Sequence, residues 1–220
     1  MTPPIVIPNE VLSFLSDADE FRDADLRINP LTATECATQS AAMQEIDVVR
    51  TLGLIVLDDA DDSNPYCYVS KGPAQGTVVH FSHDPEPQLR FHSLGEFLEA
   101  LKTAQQDGSD IDDLQFPVLT PSADQRMLVG RVRELLEGSD EDGALQIGLY
   151  LPLLDPDDLD TLALCAAHED FRVREIAATF ILDHAKPALR GLAERLAADK
   201  SAQVSRPAQQ ALARLSGTRK

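Results

Sequence analysis

His80, His83 and Asp84 form an H-x-x-H-D string, and Asp58, Asp59, Asp61 and Asp62 place four carboxylates within five residues. The first set carries donors that suit a transition metal, and the second carries the hard oxygen donors that suit calcium. Spacing argues against both. Side chains three apart in a regular strand point to opposite faces, so His80 and His83 cannot share an ion without a bend. The acidic run lacks the ligand spacing and the closing glutamate of a calcium loop. Cys36, Cys67 and Cys165 are odd in number and widely separated, which fits neither a disulfide framework nor a zinc site and matches a reducing cytoplasm. The glycine patterns of phosphate and dinucleotide loops are missing, as is the G-x-S-x-G elbow of a serine nucleophile. No catalytic residue, metal or cofactor is therefore expected, and the chain reads as a binding protein and not as an enzyme.

The elements that must position these residues lie in the stretch 52–101. An apolar run at 54–57 ends in the acidic residues, Ser63, Asn64 and Pro65 supply a turn, and Tyr66, Cys67, Tyr68 and Val69 follow with strand character. Lys71, Gly72, Pro73 and Gly76 punctuate again before a third strand at 77–81. Such short connections favour antiparallel neighbours. Ser93 and Glu96 have the spacing of a capping box, and Leu94, Phe97, Leu98 and Leu101 then recur at helical period. Upstream, a short helix is expected from Asn9, a strand over 25–29, and a helical stretch opened by Thr32 and Glu35 that breaks near Ser40 and runs to Arg50.

Charge divides unevenly along the chain. Of the net −18, residues 1–120 hold −15, with 21 Asp and Glu against 6 Lys and Arg, while residues 121–220 hold −3, with 16 against 13. A field of that sign repels nucleic-acid phosphates and steers cationic proteins, so no direct contact with nucleic acid is expected. No apolar run is long enough to span a bilayer and no secretory leader is legible at the start, so a soluble, unexported, cytoplasmic protein without membrane contact is expected.

From Ser122 onward strand signals stop, and leucine and alanine recur at helical spacing. Six helices are expected near 122–137, 143–153, 156–167, 170–184, 187–198 and 202–216. DFRVREIAATFIL from Asp170 and KSAQVSRPAQQAL from Lys200 align so that Val173 matches Val204, Ala177 matches Ala208 and Ile181 matches Leu212 at a constant offset of 31. Helical-hairpin repeats produce offsets of that order. Pro207 is placed in a first helical turn, where its missing amide matters little. The predicted layout is an α/β domain at 1–104, a polar Gly- and Pro-containing linker at 105–121 and a helical domain at 122–220.

The order of acidic loop, DSNPYCYV, glycine turn, TVVHFSHD and a closing helix with an FLEAL core resembles the SUKH superfamily over about residues 5–103. That superfamily includes many bacterial immunity proteins and some fungal regulators of cell-wall synthesis. The Asp, Val-Arg and Ala positions after Asp170 resemble HEAT repeats, in which Arg172 and Arg174 would bond within or between repeats. The resemblance implies an α+β fold, a mostly antiparallel SUKH-like sheet with flanking helices, followed by an all-α HEAT-like repeat domain. It implies an immunity protein, an antitoxin that neutralises a cognate toxin by covering a basic cleft that handles nucleic acid or nucleotide. The alternative is a regulatory adaptor or scaffold with no toxin partner. The expected partner surface comprises Asp58, Asp59, Asp61, Asp62, Asn64, Tyr66, Tyr68, Asp84 and Glu86, with carboxylates steering the encounter and the tyrosines serving as anchors.

Overall fold

Strand-forming residues of the first half pair in the order in which they occur. In the computed structural model, which describes residues 5–22, 24, 26, 28–58, 64–82, 87–116, 119–138 and 141–217, four strands form one antiparallel sheet. They are Leu54–Val56 (β1), Tyr66–Val69 (β2), Val78–His80 (β3) and Gln88–Phe91 (β4), in the spatial order β1-β2-β3-β4. Ile55 lies opposite Tyr68 and Cys67 opposite Val79, and a register shift at Val78 and Val79 adjusts the pairing with β4. The sequence reading lacks β4. Gln88 and Arg90 carry little strand signal, and the strand is held by its ladder and by burial of Leu89 and Phe91.

The helices of this half are Asn9–Asp17 (α1), Ala33–Met43 (α2), Asp47–Leu52 (α3) and Leu94–Asp107 (α4). Thr32 caps α2 as its spacing predicts: the Glu35 amide donates to Thr32 Oγ1 at 3.2 Å, and the Thr32 amide donates to Glu35 Oε2 at 2.7 Å. At α4 only half of the box forms. The Glu96 amide donates to Ser93 Oγ at 3.2 Å, but the Glu96 carboxylate takes the amide of His92, one residue further back, at 2.9 Å. The break expected near Ser40 falls instead between Met43 and Asp47. Ser40 is buried within α2, where its hydroxyl accepts the Val56 amide at 2.9 Å and so satisfies a donor of β1. Gly53 ends α3 at φ 59°, and a Cβ there would lie 2.4 Å from Ser70 Oγ, so glycine is required. The strand expected over 25–29 is not formed by its described members: Leu26, Ile28 and Asn29 lie outside regular structure, and Pro30 makes an isolated bridge to Asp58.

The core of this half centres on Phe97 of α4. Its ring lies 4.8 Å from that of Tyr66, 5.1 Å from Phe91 and 5.3 Å from Phe14 of α1. The expected linker belongs partly to this core. Residues through Asp107 extend α4, and Ile111–Asp113 form a 3₁₀ turn in which Ile111 is fully buried and Asp112 accepts the Tyr66 hydroxyl. Polar composition marks a connection, with Leu114 to Leu119 expected to dock on one domain, and here Ile111 and the buried Tyr66 phenol anchor it. The chain accordingly divides into two units at Met1–Thr120 and Pro121–Lys220.

The second unit is all helical among its described residues. Its helices are Gln125–Leu136 (α5), Glu141–Tyr150 (α6), Leu159–Ala167 (α7), Phe171–Asp183 (α8), Arg190–Ala197 (α9) and Ala202–Gly217 (α10), each close to its expected span. Val173, Ala177 and Ile181 of α8 are buried, as are Val204 and Ala208 of α10, whereas Leu212, expected to match Ile181, is half-buried and Ala211 and Leu215 are buried instead. Pro207 lies inside α10 and not in its first turn, so the helix forgoes one interior amide bond.

The turns between these helices are fixed by ion pairs. Arg172 pairs with Asp170, the N-cap of α8, at 2.9 Å. Arg174 Nε donates to Asp199 Oδ2 at 2.7 Å, and its Nη1 donates to the carbonyls of His168 and Glu169 at 2.8 and 2.7 Å. These side chains are only 20% and 13% exposed, so solvent screening is modest. The Arg174 guanidinium and backbone amides hold the Asp199 carboxyl below its ordinary 3.8. A carboxyl with a depressed folded-state pKa stabilises the fold above the unfolded-state value and loses that increment as pH falls through the folded-state value. Arg174→Ala is therefore expected to lower stability by about 2 kcal/mol at neutral pH. It should also flatten the decline of thermal stability below about pH 4. Unfolding curves of both proteins from neutral to acid pH check this, and parallel acid declines would refute it.

Among the described residues, no helix is long and apolar enough to cross a membrane.

Candidate partner-binding surface

Of the residues expected to meet a partner, Asp58, Tyr66 and Tyr68 are built into the fold. Asp58 is 1% exposed. Its Oδ1 accepts the Tyr66 amide at 2.5 Å, which ties the base of the acidic loop to the first residue of β2. Tyr66 is 2% exposed and its hydroxyl donates to Asp112 at 2.9 Å, while its ring stacks on His80 at 4.7 Å. Burial first, and then the Asp112 carboxylate, pushes the Tyr66 phenol far above its ordinary 10. Tyr68 is 4% exposed and donates to Glu10 of α1 at 2.9 Å. Burial and that bond push its phenol up to about 12.

These positions correct the expectation for Asp58, Tyr66 and Tyr68, which the folded first unit does not offer to a partner. The reason is that β2 has no solvent face: all four of its residues, Tyr66, Cys67, Tyr68 and Val69, are buried. A four-residue apolar run without alternation is the signature of a strand covered on both sides. Asn64 is half-buried at the end of the loop. Asp59, Asp61, Asp62, Asp84 and Glu86 lie outside the described residues, as does His83. The cysteine thiols are enclosed. Burial pushes Cys36 up to about 11 and Cys165 up to about 12, and it raises Cys67 well above its ordinary 9. Their thiolates, the nucleophilic forms, are therefore scarce at neutral pH.

What the first unit does present is carboxylate. Glu10 and Asp17 on α1, Asp19 and Glu20 in the turn after it, Glu96 and Glu99 on α4, and Asp112 and Asp113 are all exposed. Lys102 stands among Glu99, Glu20 and Asp17, and these raise its pKa, the hydrogen bond that its Nζ donates to Glu99 foremost.

Beside α4 runs an open groove of about 790 Å³, which the sequence reading did not anticipate. Phe91, Leu114 and Phe116 supply its apolar walls, and Gly95, Ala100 and Thr103 line its α4 side. Arg90 stacks on the Phe116 ring, with Cζ 4.3 Å from the centroid. The sequence does hold a signal for it. The inward stripe of α4 is Leu94, Phe97, Leu101 and Ala104, and Gly95 and Ala100 flank a second face that carries Glu96, Glu99 and Thr103. What a lone helix cannot reveal is that the 114–116 segment returns beside that face.

A scan against protein-family models, a search of curated proteins and a search of solved structures each returned no match for this chain.

Proposed function

We propose that this chain is an immunity protein whose acidic first unit binds a basic toxin and covers its nucleic-acid- or nucleotide-handling cleft. The observation that carries the reading is the separation of charge: −15 on residues 1–120 against −3 on residues 121–220. Carboxylates are exposed on α1, on the turn after it and on α4. Such a field raises the rate of encounter with a cationic protein and disfavours phosphate polymers. We read the first unit as SUKH-like. Its run of helices, antiparallel sheet and closing helix supports that, as does the placement of NPYCYV and TVVHFS in the central hairpin. We read the second as HEAT-like, which the buried pairs Val173 with Val204 and Ala177 with Ala208 support. In this reading the repeats add a second contact surface.

The test is capture with the full chain from the native host, identification of the bound protein by mass spectrometry, and assay of that protein with and without the chain. A basic enzyme that is inhibited, and whose association slows as salt rises, supports the reading. A partner whose activity the chain leaves unchanged would replace it with the adaptor function.

A further inference from the structure

We infer that the groove between α4 and the 114–116 segment is a docking site for one aliphatic or aromatic side chain of a cationic protein segment, whose lysine or arginine seats on Glu96 and Glu99. This rests on the proposed binding of a basic partner and names where that partner's anchor goes.

Three observations carry it. First, apolar and small residues, Phe91, Leu114, Phe116, Gly95 and Ala100, share the lining with polar ones, Glu96 and Glu99 among them, around about 790 Å³, enough space for a large side chain and part of its neighbours. A Cβ added at Gly95 would meet only Ser93 Oγ, at 3.6 Å, so the space above the helix start is open. Second, the rim is anionic. Glu96 and Glu99 lie three apart on α4, hence on one face of the helix. Glu96 Oε2 accepts the His92 amide and Glu99 Oε1 accepts Lys102 Nζ at 2.7 Å, which leaves the other oxygen of each carboxylate free among the described residues. Third, the unit that holds the groove is acidic as a whole, with −15 on residues 1–120. An apolar slot edged by carboxylates within an acidic unit is complementary to a hydrophobic residue flanked by cations. Glu96 and Glu99 disfavour the head group of an anionic lipid or a fatty acid, a repulsion that Lys102 on Glu99 and Arg90 on Phe116 reduce. An aromatic or aliphatic anchor in a desolvated slot with a charged rim is also how binding energy concentrates in protein interfaces.

The probe is a phage-displayed random dodecapeptide library panned on the full chain. The expected consensus is an aliphatic or aromatic residue with lysine or arginine beside it. A synthetic peptide of that sequence should shift the amide resonances of Gly95, Ala100 and Thr103 in the intact protein. Its affinity should fall about tenfold or more when Ala100→Trp fills the slot. Thr103→Trp, at an exposed position, gives a second blocking variant should the first perturb the helix. Glu99→Gln should weaken binding less and reduce its dependence on salt. An absent, acidic or uncharged consensus would overturn the assignment, as would shifts remote from α4 or binding that survives both tryptophan variants. The two proposals fail separately. A captured toxin still inhibited by both tryptophan variants removes the groove and spares the immunity function. A groove-bound cationic peptide from a chain that inhibits no toxin does the reverse.

Discussion

Phe97→Ala is expected to destabilise the first unit by about 3 to 5 kcal/mol, the range for truncating a large aromatic residue in a packed core. Phe97 is 1% exposed and its ring meets three others, those of Phe14, Tyr66 and Phe91, drawn from α1, β2 and β4. No neighbour can collapse into the space without giving up one of those contacts, so the cavity remains and the full loss is felt. Domains are stable by only about 5 to 15 kcal/mol, so the variant's first unit should be partly open at ambient temperature. Hydrogen exchange read by mass spectrometry separates the two units. Peptides from the sheet and α4 should lose most of their protection, while those from α8 and α10 keep theirs. A loss below about 1 kcal/mol would mean that the cluster around Phe97 is not the keystone of the first unit.

Asp58→Ala is expected to cost about 1 to 3 kcal/mol, because it strands the buried Tyr66 amide that Asp58 Oδ1 accepts. Asp58→Asn keeps an acceptor and should lose less. Asp58→Lys should be the most damaging of the three, since it places an ammonium at a site only 1% exposed. The measurements are urea unfolding of each variant and exchange of the Tyr66 amide. Unchanged protection of that amide in Asp58→Ala would defeat the structural role. Charge reversal of the acidic loop should be confined to Asp59, Asp61 and Asp62, because including Asp58 would confuse loss of fold with loss of contact.

Much of the architecture was legible because it rests on local signals. The Thr32 and Glu35 box, the apolar stripe of α4, the hairpin punctuation at Gly72 and Gly76 and the leucine period after Ser122 all act within a few residues. They place helices and three of the four strands close to where they lie. Failures cluster where a distant partner overrides the local signal. The QLRF of β4 becomes a strand through its ladder to β3. Ser40 stays inside a helix because β1 offers it an amide. The 105–116 stretch is drawn into the fold by Ile111 and by the Tyr66 hydroxyl.

The candidate surface divides in the same way. Composition and order alone determine that the first 120 residues carry −15 of the −18 charge, since charge is additive along a chain and needs no geometry. That is the part of the binding hypothesis owed to sequence. Which carboxylates and aromatics face outward is decided only by tertiary structure, because a strand covered on both faces turns its tyrosines inward, and a loop-end aspartate can satisfy a buried amide instead of meeting water. Apart from Gly95 and Ala100, which the sequence shows beside the apolar stripe of α4, the groove belongs to this second kind. It exists because two segments about fifteen residues apart in sequence return side by side, a closeness that no local period encodes.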